Sequence, residues 1–219
     1  MNLIPDDPST RTSQGAVRRN RTRTKLLLAA ARVVSELGEE RARIEDFIVA
    51  AKVSRGTFYN YYQTREALLE DAWNYVGSEP YHEIQRETRK IEDPADRFAT
   101  EARLILLKSA QDPIWGWLTY SLSNSSKLPQ DFLSYPRPDL LIGHRMGRFH
   151  FQNSDAAIDM VVSTLRRAVR GMLEDGRSGD YANEIVELLL RGLGLSEEEA
   201  KSIATKPLPL EVRPTDQRR

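Results

Sequence analysis

The chain has 219 residues, 40% hydrophobic, with 32 basic and 32 acidic side chains and no cysteine. That is enough apolar chain for one large core or two small ones, and the missing cysteines exclude disulfides, thiolate nucleophiles and thiolate-bound zinc. The balanced total hides an uneven distribution. Arg11, Arg18, Arg19, Arg21, Arg23, Lys25 and Arg32 fall in a stretch, Arg11 to Ser35, that holds no acid. One basic end on an otherwise acidic molecule suits one-sided contact with a polyanion.

Residues 1–20 are polar, charged and without period, which predicts a flexible basic arm. They lack the apolar run of a signal peptide, and no stretch approaches the roughly 20 apolar residues of a membrane span. A cytoplasmic protein without membrane contact is expected. From Thr22, Leu26, Leu27, Ala30, Ala31, Val34 and Leu37 recur on one helix face, with Gly38 at the C-terminal cap position. Shorter helices fit Ile44 to Ala51 and Arg55 to about Tyr61. A longer one starts after Thr64 as N-cap and buries Leu68, Leu69, Ala72, Trp73 and Val76. Gly77 to Pro80 should end or kink it. Pro94 opens a helix to Ala110, and Pro113 opens a short aromatic one. Ser121 to Asp139 reads as irregular, and a further helix includes Leu140 to Phe149. Two strong amphipathic helices begin at Asp155 and Asp180, and Ser196 with Glu199 fits a capping box for a last short one. The Pro-rich tail from Pro207 is expected to be extended or disordered. No alternating strand pattern appears. The fold class is all-α, divided as 1–20 arm, 21–66 headpiece, 67–206 helical body and 207–219 tail.

The stretch Ile44 to Arg65 has the spacing of a helix-turn-helix. Phe47, Ile48, Ala51, Val53 and Phe58 can form its small core. Ser54 can cap the second helix and turn its free N–H groups towards a phosphate. Arg55, Thr57, Tyr59, Asn60 and Tyr61 remain for phosphates and base edges in a major groove. Ala51-Lys52-Val53-Ser54, Gly56-Thr57-Phe58-Tyr59-Asn60-Tyr61-Tyr62 and Arg65 together resemble the tetracycline-repressor (TetR) family, over about Arg21 to Val76. The resemblance implies that Thr57, Tyr59 and Arg65 hold phosphates, that Gly56 allows close approach and that Tyr62 is buried. Arg55 and Asn60 offer groups that pair with guanine and adenine. Two positions depart from the family pattern. Lys52 stands where glycine is frequent, so either a lysine at positive φ costs about 1 kcal/mol or the turn differs. Arg43 stands where Thr or Ser caps the second helix; it cannot accept that bond and could meet a phosphate instead.

The body resembles the family loosely. The resemblance implies a homodimer through the last two long helices, with Ile158, Val161, Val162, Leu165, Val169, Met172, Ile185, Leu188 and Leu189 as candidate interface, and Gly171 and Gly192 permitting close approach. It also implies a pocket for an unknown small-molecule effector, for which Trp73, Phe98, Trp115, Trp117, Tyr120, Phe132, Met146 and Phe149 are candidates; aromatics at helical spacing are more often plain core. The three histidines form no metal-ligand spacing, GHRMGRFH follows no strand, and no nucleotide or hydrolase motif occurs. No cofactor, metal or catalysis is expected. The leading expectation is a dimeric repressor on a palindromic operator in double-stranded DNA, released by an effector. The alternatives are a ligand-independent regulator acting by occupancy or partner recruitment, and an α-helical enzyme with a degenerate headpiece.

Overall fold

The computed structural model describes residues 8–38, 41–122, 135–177 and 179–209. Among them every regular element is helical: α1 (Pro8–Leu37), α2 (Ile44–Ala51), α3 (Arg55–Tyr59), α4 (Arg65–Ala72), a π-helical turn (Trp73–Gly77), α5 (Ser78–Thr88), α6 (Pro94–Gln111), α7 (Pro113–Leu122), α8 (Arg137–Arg145), α9 (Ser154–Glu174), α10 (Gly179–Gly192) and α11 (Glu197–Ala204).

Local signals start and stop most of these helices. Thr64, Asp93, Asn153 and Ser196 each accept a backbone N–H from the first turn they cap, which satisfies donors a helix start leaves open. Gly38, at φ 76, ends α1 with its N–H on Val34 O. Gly147, at φ 71, follows α8, so Phe149 lies beyond that helix and not within it as the sequence suggests.

The first helix departs most from expectation. It begins at Pro8, so part of the presumed flexible arm is helical. From Arg18 onward the run is rich in Arg, which loses little rotamer freedom in a helix, and it continues a helix already anchored by Leu26, Leu27, Ala30 and Val34 in the core. Burial of each large aliphatic there contributes about 1.5–3 kcal/mol, which offsets fraying of an unpacked extension. Arg23, one of the acid-free run of basic residues, has a structural role. Its guanidinium grips the Asp71 carboxylate of α4 with both Nε and Nη2, and the Tyr62 hydroxyl donates to the same carboxylate.

The helix after Thr64 neither stops nor breaks at Gly77 to Pro80. It widens into the π turn and runs on as α5. A π turn absorbs one extra residue, and it comes just ahead of Pro80, which has no N–H to give a regular turn. Gly77 is needed there because a Cβ would sit 2.2 Å from the Trp73 ring. Trp115 of α7 closes the turn by donating Nε1–H to Gly77 O at 2.8 Å.

Two cores result, and their border does not coincide with the headpiece. The first joins Leu26, Phe47, Phe58, Leu68 and Trp73 to Leu104, Ile105, Trp115 and Leu118 of the body. The second gathers α6, α8, α9, α10 and α11. Helix α6 is the axle. It buries almost its whole circumference, including Glu101 and Arg103, and packs against α5, α7, α8, α9, α10 and α11. Small residues at Ala95, Ala99 and Ala102 let those neighbours approach. Arg148 fixes the far end, bonding both oxygens of Asp93 and, at 2.9 Å, Glu199. Glu199 is therefore partnered and not part of a freely solvated acidic turn. Phe132 and the tail from 210 lie outside the described residues.

Candidate nucleic-acid interface and body cavity

The sequence from Arg43 to Arg65 folds as a helix, a sharp turn and a five-residue helix. Asp46 accepts the Arg43 backbone N–H at 2.8 Å, half of a capping box; the Arg43 side chain is left exposed. Lys52 takes the left-handed conformation, φ 54 and ψ 50, and its N–H meets Ile48 O and Val49 O. The turn is therefore the sharp one, built with a lysine. Ser54 Oγ accepts from Thr57 N at 3.0 Å and lies 2.8 Å from Thr57 Oγ1. Phe58 is fully buried against Tyr62 and holds α3 down.

That anchoring leaves Arg43, Ser54, Arg55, Gly56, Tyr59 and Asn60 exposed and Thr57 and Arg65 half-buried. A Cβ on Gly56 would find only Ser54 Oγ, 4.0 Å away. The fold itself does not demand glycine there, so the open space faces outward. Arg55 pairs with Glu45 at 3.1 Å, both well exposed. Tyr61 differs from its sequence assignment to base contact: its hydroxyl donates to Arg19 O at 3.1 Å and ties α3 to α1. Arg18, Arg19, Arg21 and Lys25 line the exposed side of α1, so the headpiece presents one basic surface.

In the body a cavity of about 110 Å³ opens between α6, α7 and α9, walled by Ile105, Leu106, Val162, Leu165 and Val169. Thr119, Tyr120, Tyr135 and Arg166 supply its polar atoms. Of the aromatics singled out in the sequence, Tyr120 lines this cavity. Trp73 and Trp115 fill the first core, and Phe98 stacks edge-on with Phe149 in the second. Trp117 packs against the first core and meets Tyr120 edge-on, and Met146 is 63% exposed. The cavity exists because α6 offers Ala102 and two aliphatics where three helices diverge, a long-range arrangement without a local sequence signature. Beside it lies a polar chamber of about 160 Å³ lined by Gln85, Arg89, Arg97, Glu101, Tyr135 and Asp139. Burial pushes the Glu101 carboxyl up to about 8, with the nearby Asp139 adding to the shift. Burial also raises Asp139, against the Arg97 guanidinium bonded to it at 2.7 Å.

The candidate interface residues divide in two. Val161, Leu165, Val169, Met172 and Leu189 are buried inside the protomer, and Val162 with Leu165 and Val169 walls the cavity. Ile158 and Ile185 are half-buried. Leu188 is 53% exposed, as is Met160 at 38%, which the sequence reading passed over. Gly192 brings these two helices together, since a Cβ there would lie 3.3 Å from Met160 Cε.

Residues 26–72 match the model of the bacterial regulatory proteins of the tetR family, and residues 93–206, more than half of the chain, match the tetracyclin repressor-like C-terminal domain. The chain belongs to the TetR family. Among solved structures it is similar to RolR in complex with resorcinol, with 28% identity, a TM-score of 0.65, and 89% of this chain and 98% of that one covered. It shares the fold of the fatty acid degradation regulator FadR from Bacillus halodurans (19% identity, TM-score 0.59, 79% and 99% covered). The same holds for a gamma-butyrolactone receptor described as ArpA-like (19%, 0.59, 85% and 96%). A comparison with curated proteins gives no match. As a TetR-family protein it is a DNA-binding transcriptional regulator, with the helix-turn-helix as its DNA-reading part. No helix among the described residues is long and apolar enough to cross a membrane.

Proposed function

We propose that this TetR-family protein is a cytoplasmic repressor that binds an inverted-repeat operator as a homodimer and is released by a small-molecule effector held in the body cavity. The observation that carries this reading is the shared packing of cavity and headpiece. Ile105 walls the cavity and belongs to the same core as Leu26 and Phe58, and α7, which supplies Thr119 and Tyr120, packs on α1. A ligand that shifts α6 or α7 thereby changes how the headpiece sits, which is a differential contact between two states of the dimer. The resorcinol complex of RolR, at 28% identity, supports a ligand of about one ring in size.

Within the headpiece, Ser54, Gly56, Thr57, Tyr59 and Arg65 hold the DNA backbone, and Arg43 adds a phosphate contact. Arg55 and Asn60 read bases. Giving up the exposed Arg55–Glu45 pair costs under about 1 kcal/mol, less than a bidentate guanine contact returns. Dimerisation uses the outer faces of α9 and α10 around Met160 and Leu188, rimmed by Ile158 and Ile185, which places two α3 helices on one face of the duplex with half-sites about 10 bp apart or a multiple of it.

The test joins two measurements. Operators are first selected from a random DNA pool. A panel of one-ring and short-chain compounds is then screened by thermal shift, and each stabilising compound is titrated into the operator complex. Stabilising compounds should weaken operator binding at least tenfold. A panel in which none changes operator affinity refutes the effector-released repressor.

A further inference from the structure

The body holds buried polar atoms without partners among the described residues, and two of them, on Tyr135 and Glu101, line the same polar chamber. Tyr135 stands between the apolar cavity and the polar chamber and lines both. Its hydroxyl is buried and has no hydrogen-bond partner among the described residues. Glu101, 4% exposed, lines the chamber on the other side of that tyrosine. Its Oε2 accepts a long bond from Thr88 Oγ1 at 3.4 Å, while its Oε1 is buried without a partner among the described residues. Unsatisfied groups of this kind are rare in a finished fold and call for an occupant.

The charged neighbours on the chamber side are already engaged. Arg97 is held by Asp139 and by Ile91 O, each at 2.7 Å. Arg89 reaches Gln85 Oε1 at 3.4 Å. Arg166 of the apolar cavity lays its guanidinium 4.6 Å from the centre of the Tyr120 ring, although its buried Nε, like Thr119 Oγ1 of the same cavity, has no hydrogen-bond partner among the described residues. What remains open at the junction is a phenol and a carboxyl that burial keeps protonated at neutral pH. Both can donate and both can accept. A carboxylate ligand placed there would lie beside the Asp139 carboxylate; a pure hydrocarbon would leave both polar groups unsatisfied.

Taking the cavity as the effector site, as proposed above, we infer that Tyr135 and Glu101 form its polar end and bind the hydroxyl of a small uncharged amphipathic molecule whose apolar part fills the space between Ile105, Leu106, Val162, Leu165 and Val169. The size agrees, because a cavity of about 150 Å³ lined by aliphatic side chains accepts a benzene ring, and this one measures about 110 Å³ before the adjoining chamber is counted.

Three matched one-ring probes test the assignment by calorimetry on the full-length protein: benzyl alcohol, benzoate and toluene. Benzyl alcohol should bind at least tenfold more tightly than the other two. Tyr135→Phe, which removes only the hydroxyl, should weaken benzyl alcohol about tenfold and leave toluene unchanged. Glu101→Gln keeps a donor and an acceptor and should bind within about threefold of the wild type. The groups facing Glu101 are Thr88 and Arg89 of α5, Arg97 of α6, Tyr135, and Asp139 of α8. Against that set, raising the pH from 7 to 9 ionises Glu101 and should weaken benzyl alcohol in the wild type but not in Glu101→Gln. Benzoate binding as tightly as benzyl alcohol overturns the inference. So does Tyr135→Phe binding benzyl alcohol, or any alcohol found by the wider panel, as tightly as the wild type does. In either case the effector reading stands, because a ligand still occupies the cavity. If no compound of any class shifts the melting temperature, both readings fall together.

Discussion

At the scale of single residues, three positions carry costs or freedoms that the fold makes measurable. Lys52 holds φ 54 and ψ 50 in the turn between α2 and α3, a conformation that costs a side-chain-bearing residue roughly 1 kcal/mol and glycine little. Lys52→Gly should raise the unfolding free energy by about 0.5–1 kcal/mol in urea titration, and an unchanged midpoint would show that the lysine stem recovers the cost by packing. Gly56 has the opposite character: open space around it and no positive φ. Gly56→Ala should leave stability within about 0.5 kcal/mol yet weaken operator binding several-fold, read by fluorescence anisotropy, because the added methyl stands where a phosphate would approach. Glu101 is a stability lever. Its carboxyl titrates near 8, raised from an ordinary value near 4.5, so the folded state favours the protonated form. That contribution is full below about pH 4.5 and is lost as pH rises through 8. Glu101→Gln should therefore melt higher than the wild type at pH 8–9, by the equivalent of a few kcal/mol, and the two melting curves should converge as pH falls towards 4.5.

Among the elements, α9 and α10 make the most direct claim on assembly. Met160 and Leu188 present large apolar groups to solvent in the protomer, and Gly192 keeps the two helices close beneath them. Changing both residues to Glu should convert a dimer to a monomer in sedimentation while leaving the helical circular dichroism intact, and operator affinity should fall at least a hundredfold once the second half-site is lost. How far such features can be read from sequence depends on their range. The caps at Ser54, Thr64 and Ser196 and the amphipathic run of α9 are decided within a few residues of chain, and each was legible; at Lys52 the place of the turn was legible, but not which of two forms it takes. The buried face of α9 was legible too, but not its destination: periodicity cannot tell a partner subunit from the protomer's own α6 or from a cavity wall, so Val162, Leu165 and Val169 were assigned to an interface and line a cavity instead. The aromatics misled for a related reason. Large rings are the best core fillers, and Trp73, Trp115, Phe98 and Phe149 close space where the cavity needed side chains small enough to leave it open. One signal was available and unused. Glu101 is a lone acid inside FATEARLILL, a run too apolar for a solvated face, and a buried acid of that kind marks a polar site.

For the whole molecule, the basic surface of the headpiece sets how binding responds to salt. Arg18, Arg19 and Arg21 project from the solvent side of α1, held in place by the helix, whereas Arg23 is spent on Asp71. Replacing the first three by Ala should reduce the slope of log affinity against log salt by about 0.9 for each phosphate contact removed, on operator and random DNA alike. Arg23→Ala should instead lower the melting temperature, since it breaks a part-buried pair that also receives Tyr62. An unchanged slope in the triple variant would show that α1 stands clear of the DNA. The joined core has its own bearing on how such a regulator can be re-engineered. Because Leu26, Phe47 and Phe58 pack in one body with Leu104, Trp115 and Leu118, the reading head is not a cassette. A transplant cut after Arg65 would strip Trp115 and Leu118 of α7 from α1 and take Leu68 and Leu69 of α4 out of the headpiece core. Retargeting to a new operator is better done by repainting: exchange Arg55 and Asn60 on the outer surface and leave the seam untouched, so that the new address stays wired to the old sensor.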